Sequence, residues 1–209
     1  MMVNGILLRV IIIIVSTVFV AAVWVTTGKF EPSFLQFFSI AVLVCSVLLF
    51  VWDRWAWKLK LAQAIPGVSR NIDGTWEATL ESLWIDPMTG ESPDPKTVYV
   101  VIKQTSTSAT VALISNESKS KSSIARLVRE DGSWLLHYLY TNEPDMGLRE
   151  RSPIHHGSGV LAVVGSPAKR IVGSYWTDRD SKGKLSLQRR KATHAEDFEE
   201  GVELFSASR

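Results

Sequence analysis

An apolar segment near the amino terminus is the strongest constraint on what this chain can fold into. Residues 10–52 are 43 residues with only two charges, Lys29 and Glu31. The segment contains two apolar runs, at 5–27 and 32–52, each near the roughly 20 residues that a helix needs to cross a bilayer. Neither run alternates like a strand or has a polar face. The sequence therefore predicts a two-helix transmembrane hairpin within residues 1–60.

The basic residues around the two runs predict how the hairpin is oriented. The short loop at 28–31 carries one lysine, whereas Arg9, Arg54, Lys58 and Lys60 lie on the opposite side. Positive charge favours the cytoplasmic side of a membrane protein. We therefore expect both termini in the cytoplasm. The alternative to two spans is a single buried helical hairpin.

Beyond a linker at 61–72, the pattern changes to short alternating runs separated by turn residues. They predict eight strands, at 74–85, 97–105, 109–115, 119–129, 133–141, 158–164, 170–178 and 184–191. Sequential strands with short turns are typical of a small antiparallel up-and-down β-barrel, whose closure removes exposed edges. The predicted barrel domain is 73–192. In the acidic tail at 193–209, residues 195–205 could form a short helix with a weak apolar patch at Val202, Leu204 and Phe205, and we expect this end to be solvated.

Polar and aromatic residues at the ends of the apolar rows predict a ligand pocket in this barrel. Because side chains alternate along a strand, Val98, Val100 and Ile102 share the inward face. The same parity applied to the other strands gives ten candidates, Gln104, Ser118, Ser120, Ser122, Tyr138, Tyr140, Asn142, Tyr175, Thr177 and Arg179, and it also turns Arg189 inward. Tyrosines stack on flat rings, amides and hydroxyls read ring edges, and arginine pairs with phosphate. The set suits a nucleotide or another flat anion; alternatively, these groups lie at an open rim in water.

The sequence has no pattern of an enzyme or of a metal site. It has none of the motifs GxSxG, P-loop or HExxH, and its single cysteine, Cys45, excludes an intrachain disulfide. We interpret His137, His155 and His156 as solvated side chains. The net charge of +2 argues against long nucleic acid as a partner. We therefore expect no catalytic residues, no metal and no cofactor.

Two family resemblances support the barrel. The segment Gly74–Thr75–Trp76 resembles the GxW motif of lipocalin-like barrels, in which Arg189 or Arg190 could lie across the tryptophan. Five further pieces of the chain are DGTWEA (73–78), VIKQT (101–105), the spaced serines at 118, 120 and 122, LHYLYTNEP (136–144) and VGSYWTDR (172–179) with Gly183. With these pieces, and with two short-looped apolar helices followed by a β-rich domain, almost the whole chain resembles the two-transmembrane β-barrel effectors of CBASS, the bacterial cyclic-oligonucleotide anti-phage system.

The CBASS resemblance implies a function. A partner CD-NTase cyclase makes a cyclic dinucleotide on infection, the cytoplasmic barrel binds it, and copies of the effector assemble in the bacterial inner membrane. Disruption of that lipid bilayer causes abortive infection. We expect the loop at 142–157 to become ordered over the filled barrel and so create the contact between copies.

Two other functions remain open from the sequence. A membrane-anchored lipocalin-like carrier of a lipid or other small apolar ligand predicts an interior that is aliphatic from end to end. A structural anchor predicts a barrel filled by its own side chains.

Overall fold

The computed structural model describes residues 2–25, 32–85, 88, 90–150 and 152–206, which form two compact units, Met1–Val68 and Ser69–Arg209. The first unit contains helices α1 (Met2–Val25), α2 (Pro32–Arg54) and α3 (Lys60–Gln63), with a 3₁₀ turn at Ala56–Lys58. The loop predicted at 28–31 lies outside the described residues. Among the described residues, no helix combines the length and the apolar character needed to cross a membrane.

The second unit is a closed barrel of eight antiparallel strands, as the alternating pattern predicted. Each strand pairs with the next along the chain, and the last pairs with the first. The strands are β1 (Gly74–Ser82), β2 (Lys96–Gln104), β3 (Ala109–Ile114), β4 (Ser118–Glu130), β5 (Ser133–Pro144), β6 (His155–Val164), β7 (Arg170–Thr177) and β8 (Lys182–Lys191). Asp131 and Gly132, both with positive φ, form the two-residue turn that joins β4 to β5.

The connection between β5 and β6 is shorter than predicted. Asn142 pairs with His155, so the ladder takes up both ends of the expected loop at 142–157 and leaves only 145–154. This remaining segment is held by hydrogen bonds from Asp145 N to Glu117 O (3.0 Å) and from Ser152 N to Leu148 O (2.7 Å). Asp145 and Ser152 are therefore tied to the β3–β4 turn and to the segment's own turn.

The end of the barrel at which the chain enters is closed by buried side chains. Trp76 is fully buried there, and its indole N–H donates to Ile72 O over 2.8 Å. The side chain of Gln104 accepts a hydrogen bond from Ile72 N (2.9 Å) and donates to Arg70 O (2.9 Å). Because every polar atom buried here needs a partner, Gln104 ties the entering segment to the end of β2.

A bulge between β1 and β8 decides which arginine of the last strand points inward. The register passes from Glu77 opposite Arg189 to Ala78 opposite Leu187, so one extra residue of β8 lies between them. The extra residue reverses the side-chain parity, and the prediction that Arg189 points inward is therefore wrong. Arg189 lies outside and pairs with Glu77, with Nε 2.6 Å from Oε2.

Arg190 instead lies across the tryptophan of the Gly-x-Trp segment. Its guanidinium carbon is 5.7 Å from the centroid of the Trp76 ring. Its nitrogens donate to Asp73 O (2.7 Å) and to both the backbone oxygen and Oδ1 of Asn71 (2.9 Å each). Of the two arginines that the sequence allowed, Arg190 therefore seals the closed end of the barrel.

The carboxyl-terminal segment differs from the expected solvated end. Helix α4 (Phe198–Ser206) packs on the outer wall, where Phe205 is buried and stacks on Tyr99 with ring centroids 5.7 Å apart. Gly201 allows this approach, because a Cβ there would lie 2.3 Å from Cδ2 of Tyr99. Glu199, Glu200 and Glu203 lie on this helix, whose apolar side covers the barrel.

Replacing Arg190 tests this closure. We expect Arg190→Lys to lower the free energy of unfolding by about 1–3 kcal/mol, because lysine cannot reproduce the forked donation to buried oxygens. The matched change Arg170→Lys, at an exposed position, should alter it by less than about 0.5 kcal/mol. Urea unfolding of the purified chain, followed by tryptophan fluorescence, measures both. Equal effects of the two substitutions would contradict the role of Arg190.

Candidate ligand-binding site

The open end of the barrel contains a cavity of about 210 Å³. In an up-and-down barrel the carboxyl ends of the odd-numbered strands and the amino ends of the even-numbered strands meet at one end, and the cavity opens there. Part of its lining is aliphatic, formed by Leu80, Val98, Val111, Leu113 and Leu185. Another part is polar, formed by Ser115, Ser118, Ser120, Asn142, Thr177 and Ser181. The cavity thus combines apolar and hydrogen-bonding side chains.

Three tyrosines form the aromatic wall, and each lies opposite a glycine on the neighbouring strand. The pairs are Tyr138–Gly159, Tyr140–Gly157 and Tyr175–Gly183. A Cβ at any of these glycines would lie 2.4–2.6 Å from a ring carbon of the paired tyrosine. The glycines therefore let the rings lie against the barrel wall, which leaves the interior open. The ring centroids of Tyr138 and Tyr140 are 5.6 Å apart, a packing distance typical of aromatic pairs.

The tyrosines of the wall are neutral at physiological pH. Burial is the main cause that raises the pKa of Tyr138, Tyr140 and Tyr175 above the usual value, because a buried phenolate loses its hydration. The other tyrosines raise the pKa of Tyr138 and Tyr140 further, whereas a hydrogen bond with Ser82 partly offsets the effect at Tyr175. Each phenol can therefore offer an O–H to a ligand.

The amide of Asn142 is oriented by a buried serine. Ser120 is opposite Asn142 in the β4–β5 ladder, and its hydroxyl donates to Oδ1 over 2.8 Å. Both side chains are buried. Since Oδ1 accepts from the serine, the NH₂ group is the part of the amide that is suited to donate to a ligand.

Charged groups of the rim were not predicted from the sequence. Lys96 and Glu117 line the mouth and form an ion pair, with Nζ 2.8 Å from Oε2. The inward position of Lys96 could have been predicted, because it lies two residues before Val98 on the inward row. It was missed because the predicted strand began one residue too late. Glu117 belongs to the short β3–β4 turn, and no periodic pattern indicated it.

His155 also lines the mouth, where it begins a strand and does not belong to the long loop. It begins β6 opposite Asn142, and its Nδ1 lies 3.0 Å from Pro153 O. The sequence could have indicated this position through Asn142. If β5 extends to Asn142, its partner strand must begin before Gly157. The rim therefore combines one lysine, one histidine and one carboxylate.

The structure brings together most of the predicted ligand residues. Seven line the cavity: Ser118, Ser120, Tyr138, Tyr140, Asn142, Tyr175 and Thr177. Thr177 is held at the mouth by Ser181, with their hydroxyl oxygens 2.7 Å apart. The inward position of Tyr175 agrees with the exposed side chain of Trp176 on the opposite face of the same strand.

Three predicted residues lie elsewhere. Gln104 is at the closed end, because the carboxyl end of an even-numbered strand cannot meet the carboxyl ends of β5 and β7. The hydroxyl of Ser122 accepts a hydrogen bond from Val111 N (2.9 Å) beside a bulge in β4, where it extends the ladder instead of lining the cavity. Arg179 is exposed in the β7–β8 turn and donates to Ser152 Oγ over 3.0 Å.

The described part of the chain contains no group of three or more His, Cys, Asp or Glu side chains that could hold a metal ion. The chemistry available at the cavity is therefore that of hydroxyls, one amide, aromatic rings and the rim charges. Such a set recognises a ligand by hydrogen bonds and stacking.

Because the buried tyrosines are neutral, we expect their phenols to ionise at alkaline pH only as the chain unfolds. The chain has four tyrosines, and burial raises the pKa of Tyr99 as well. The unfolded phenols ionise near pH 10, whereas the folded state still holds these protons, so stability is full below that pH and falls as the pH rises above it. We expect tyrosinate absorbance at 295 nm to appear together with the loss of far-ultraviolet circular dichroism. Ionisation near pH 10 with an unchanged dichroism spectrum would contradict the buried arrangement.

Comparison with known proteins agrees with this architecture. The family model described as "Cap15, cyclic dinucleotide receptor domain" matches residues 69–189, which is more than half of the chain and contains nearly all of the barrel. The CD-NTase-associated protein 15 of Staphylococcus schleiferi is 30% identical over 173 residues, which cover 83% of this chain and 90% of that protein. A match of this length exceeds the second unit, so the similarity continues into residues 1–68. The chain therefore belongs to the Cap15 family of CD-NTase-associated proteins, as its resemblance to CBASS effectors predicted.

Proposed function

We propose that this protein is a CBASS effector that binds a cyclic dinucleotide at the open end of its barrel. The observation that carries the proposal is the lining of the cavity, which combines aliphatic side chains, three neutral tyrosines, hydroxyl and amide groups, and the Lys96–Glu117 ion pair at the mouth. A cyclic dinucleotide has flat bases, ring-edge donors and acceptors, and two phosphates. Each of these parts has a complementary surface in the cavity or at its mouth.

The size of the cavity indicates how such a ligand is held. A volume of about 210 Å³ is below the roughly 300–1,000 Å³ of typical ligand pockets. We infer that one base enters between the tyrosines and beside the Asn142 amide, while the phosphates stay at the mouth. There they can meet Lys96 and also Arg179, whose Nη1 is 3.4 Å from Nδ1 of the rim residue His155.

The two competing functions fit the cavity less well. A carrier of apolar ligands would be served by an aliphatic interior throughout, whereas the lining of this cavity includes six serine, threonine or asparagine side chains. A purely structural barrel would be filled, because an empty space forfeits packing energy. The polar cavity therefore favours the sensor.

The remainder of the proposal concerns the membrane and the partners. We infer that residues 5–27 and 32–52 cross the bacterial inner membrane with both termini in the cytoplasm; the support is the length of the apolar runs and the distribution of basic residues. A CD-NTase cyclase supplies the ligand, and bound copies assemble and disrupt the bilayer. Binding drives assembly only as far as the assembled state holds the ligand more tightly than the single copy does.

Ligand binding is tested with paired lysine variants. We expect Lys96→Ala to weaken binding of the matching cyclic dinucleotide at least about tenfold, since a charge-assisted phosphate contact is lost. Lys103→Ala is the matched control, because Lys103 is exposed near the closed end of the same strand and should bind like the unmodified chain. Equilibrium dialysis of the purified chain against 3′,3′-cyclic dinucleotides carrying adenine, guanine, cytosine or uracil measures both.

Tyr140→Phe adds a test of the wall, since it removes only a hydroxyl and should also weaken binding. The proposal fails if none of these nucleotides binds, and extraction of a fatty acid from the purified chain would favour the carrier instead.

The membrane topology predicts which positions an impermeant thiol reagent reaches. In a Cys45→Ser background, Lys29→Cys should be labelled in spheroplasts, because residue 29 lies in the loop proposed to face outward. Ser206→Cys should be labelled only after the membrane is permeabilised. Labelling in the reverse order, or of both positions without permeabilisation, would contradict the proposed orientation.

A further inference from the structure

The outer wall of β4–β7 presents an apolar surface that the chain does not cover with a described segment. Residues that alternate with the core on these strands point outward, and many are apolar: Ile124, Leu135, Leu139, Val160, Val172 and Trp176. Ile124, Leu139 and Trp176 are 63%, 49% and 48% exposed. Ile124 is paired with Leu139, and Ser158 lies between Leu139 and Trp176, so these side chains form one row across four strands. We call this surface the β4–β7 face.

A similar apolar surface on the opposite side of the barrel is covered by the carboxyl-terminal segment. The outward side chains Val101 and Ile114 of β2 and β3 are buried in a cluster with Ala195, against which Phe198 packs. Helix α4 thus covers the apolar outer wall of one half of the barrel. Contiguous exposed apolar surface on a soluble domain usually marks an interaction site, so the β4–β7 face requires a partner from outside the described chain.

Four charged residues at the edges of the β4–β7 face complement one another; the exposed Arg126 lies within the face, opposite His137, and is not one of them. Near the mouth, Lys121 lies on the β4 side, level with Thr141 and His156, and Asp178 lies on the β7 side, where its carboxylate accepts a hydrogen bond from His156 N. Toward the closed end the signs are reversed, with Glu130 at the end of β4 and Arg170 at the start of β7.

We propose that the β4–β7 face is a contact between two copies of this chain. Sheets that pack face to face keep their strands within about 30° of each other. A two-fold axis along β5 and β6 then places β4 of one copy opposite β7 of the second at the same level. Lys121 faces Asp178 of the second copy, Glu130 faces Arg170 of the second copy, and Ile124 packs against Trp176.

The distribution of side-chain size fits two convex walls in contact. The central strands β5 and β6 carry short or medium outward side chains, such as Ser158 and Val160, where the walls are closest. The flanking strands carry long ones, such as Lys121, Arg170 and Trp176, which can reach across the wedge that opens on either side. A flat partner would leave these long side chains without a surface to contact.

This inference rests on the self-association in the proposed function and identifies the surface that mediates it. Ordering of the β5–β6 loop is a separate route to such a contact; among its described residues, the backbone N–H groups of Asp145, Leu148, Arg149 and Ser152 already donate hydrogen bonds. The β4–β7 face offers both an apolar area and complementary charges without any refolding.

The test measures the mass of the full chain in detergent by sedimentation equilibrium, with and without the same panel of cyclic dinucleotides. We expect Leu139→Glu and Lys121→Glu each to raise the dissociation constant of the pair at least about tenfold. Val202→Glu is the control, because Val202 is 42% exposed on α4, outside the face, and it should leave the dissociation constant unchanged.

Charge exchange distinguishes a direct contact from a general loss of solubility or structure. Lys121→Glu combined with Asp178→Lys should recover most of the association that Lys121→Glu loses, because the two copies exchange the signs together. Asp178 also contacts the backbone of its own chain, so Glu130→Arg with Arg170→Glu provides a second exchange that does not involve that hydrogen bond. Recovery in either double variant supports the contact.

Three outcomes overturn the inference: a single-copy mass under all conditions, undiminished association in Leu139→Glu, or failure of both exchanges to recover it. Nucleotide binding measured on the same samples separates this failure from failure of the proposed function. A chain that binds the nucleotide but associates through another surface loses only the inference. A chain that binds no nucleotide loses the proposed function, while the concentration dependence of its mass still tests the face.

Discussion

The hydrogen-bonded seam between β1 and β8 is the interaction on which the rest of this structure depends. Closure of the ladder removes both sheet edges and fixes which strand ends meet at the mouth. The bulge within the seam sets the parity of the last strand, which turns Arg190 toward Trp76 and Arg189 toward Glu77. One end of the barrel is sealed as a result, and the cavity can exist only at the other.

The cavity itself is a consequence of where glycine occurs in the ladder. Glycine weakens a strand because it has no side chain to pack, yet three glycines face the three tyrosines of the wall. Each ring covers the backbone that its glycine exposes, which recovers apolar contact and moves the ring out of the centre. An alanine at these positions would force the rings inward and fill the space. The three glycines therefore weaken their strands and at the same time keep the interior hollow.

Particular residues show how far the sequence could predict this site. The alternation of Tyr138, Tyr140 and Asn142 could be predicted because β5 has no irregularity there. The unbroken pairing of β5 with β6 confirms that alternation. Gln104 satisfied the same alternation, but strand direction places it at the closed end, and strict use of the antiparallel order would have excluded it. Arg189 could not be placed, because the extra residue of β8 depends on the partner strand and has no local signature. Contacts distant in sequence, such as Lys96 with Glu117, likewise become visible only when the turns are built.

The same strands serve the inside and the outside of the barrel, and this links the two proposed functions. On β5, Tyr138 and Tyr140 face the cavity while Leu139 between them is exposed, and on β7 Tyr175 alternates with Trp176 in the same way. Where a ligand displaces the tyrosine rings further than rotation about their side-chain bonds allows, the backbone that carries Leu139 and Trp176 shifts as well. Such a shift strains a single copy. In a pair whose outer contacts favour the shifted backbone, the same shift requires less free energy. That difference is the differential affinity that ligand-driven assembly requires, and β5 and β7 are where it would arise.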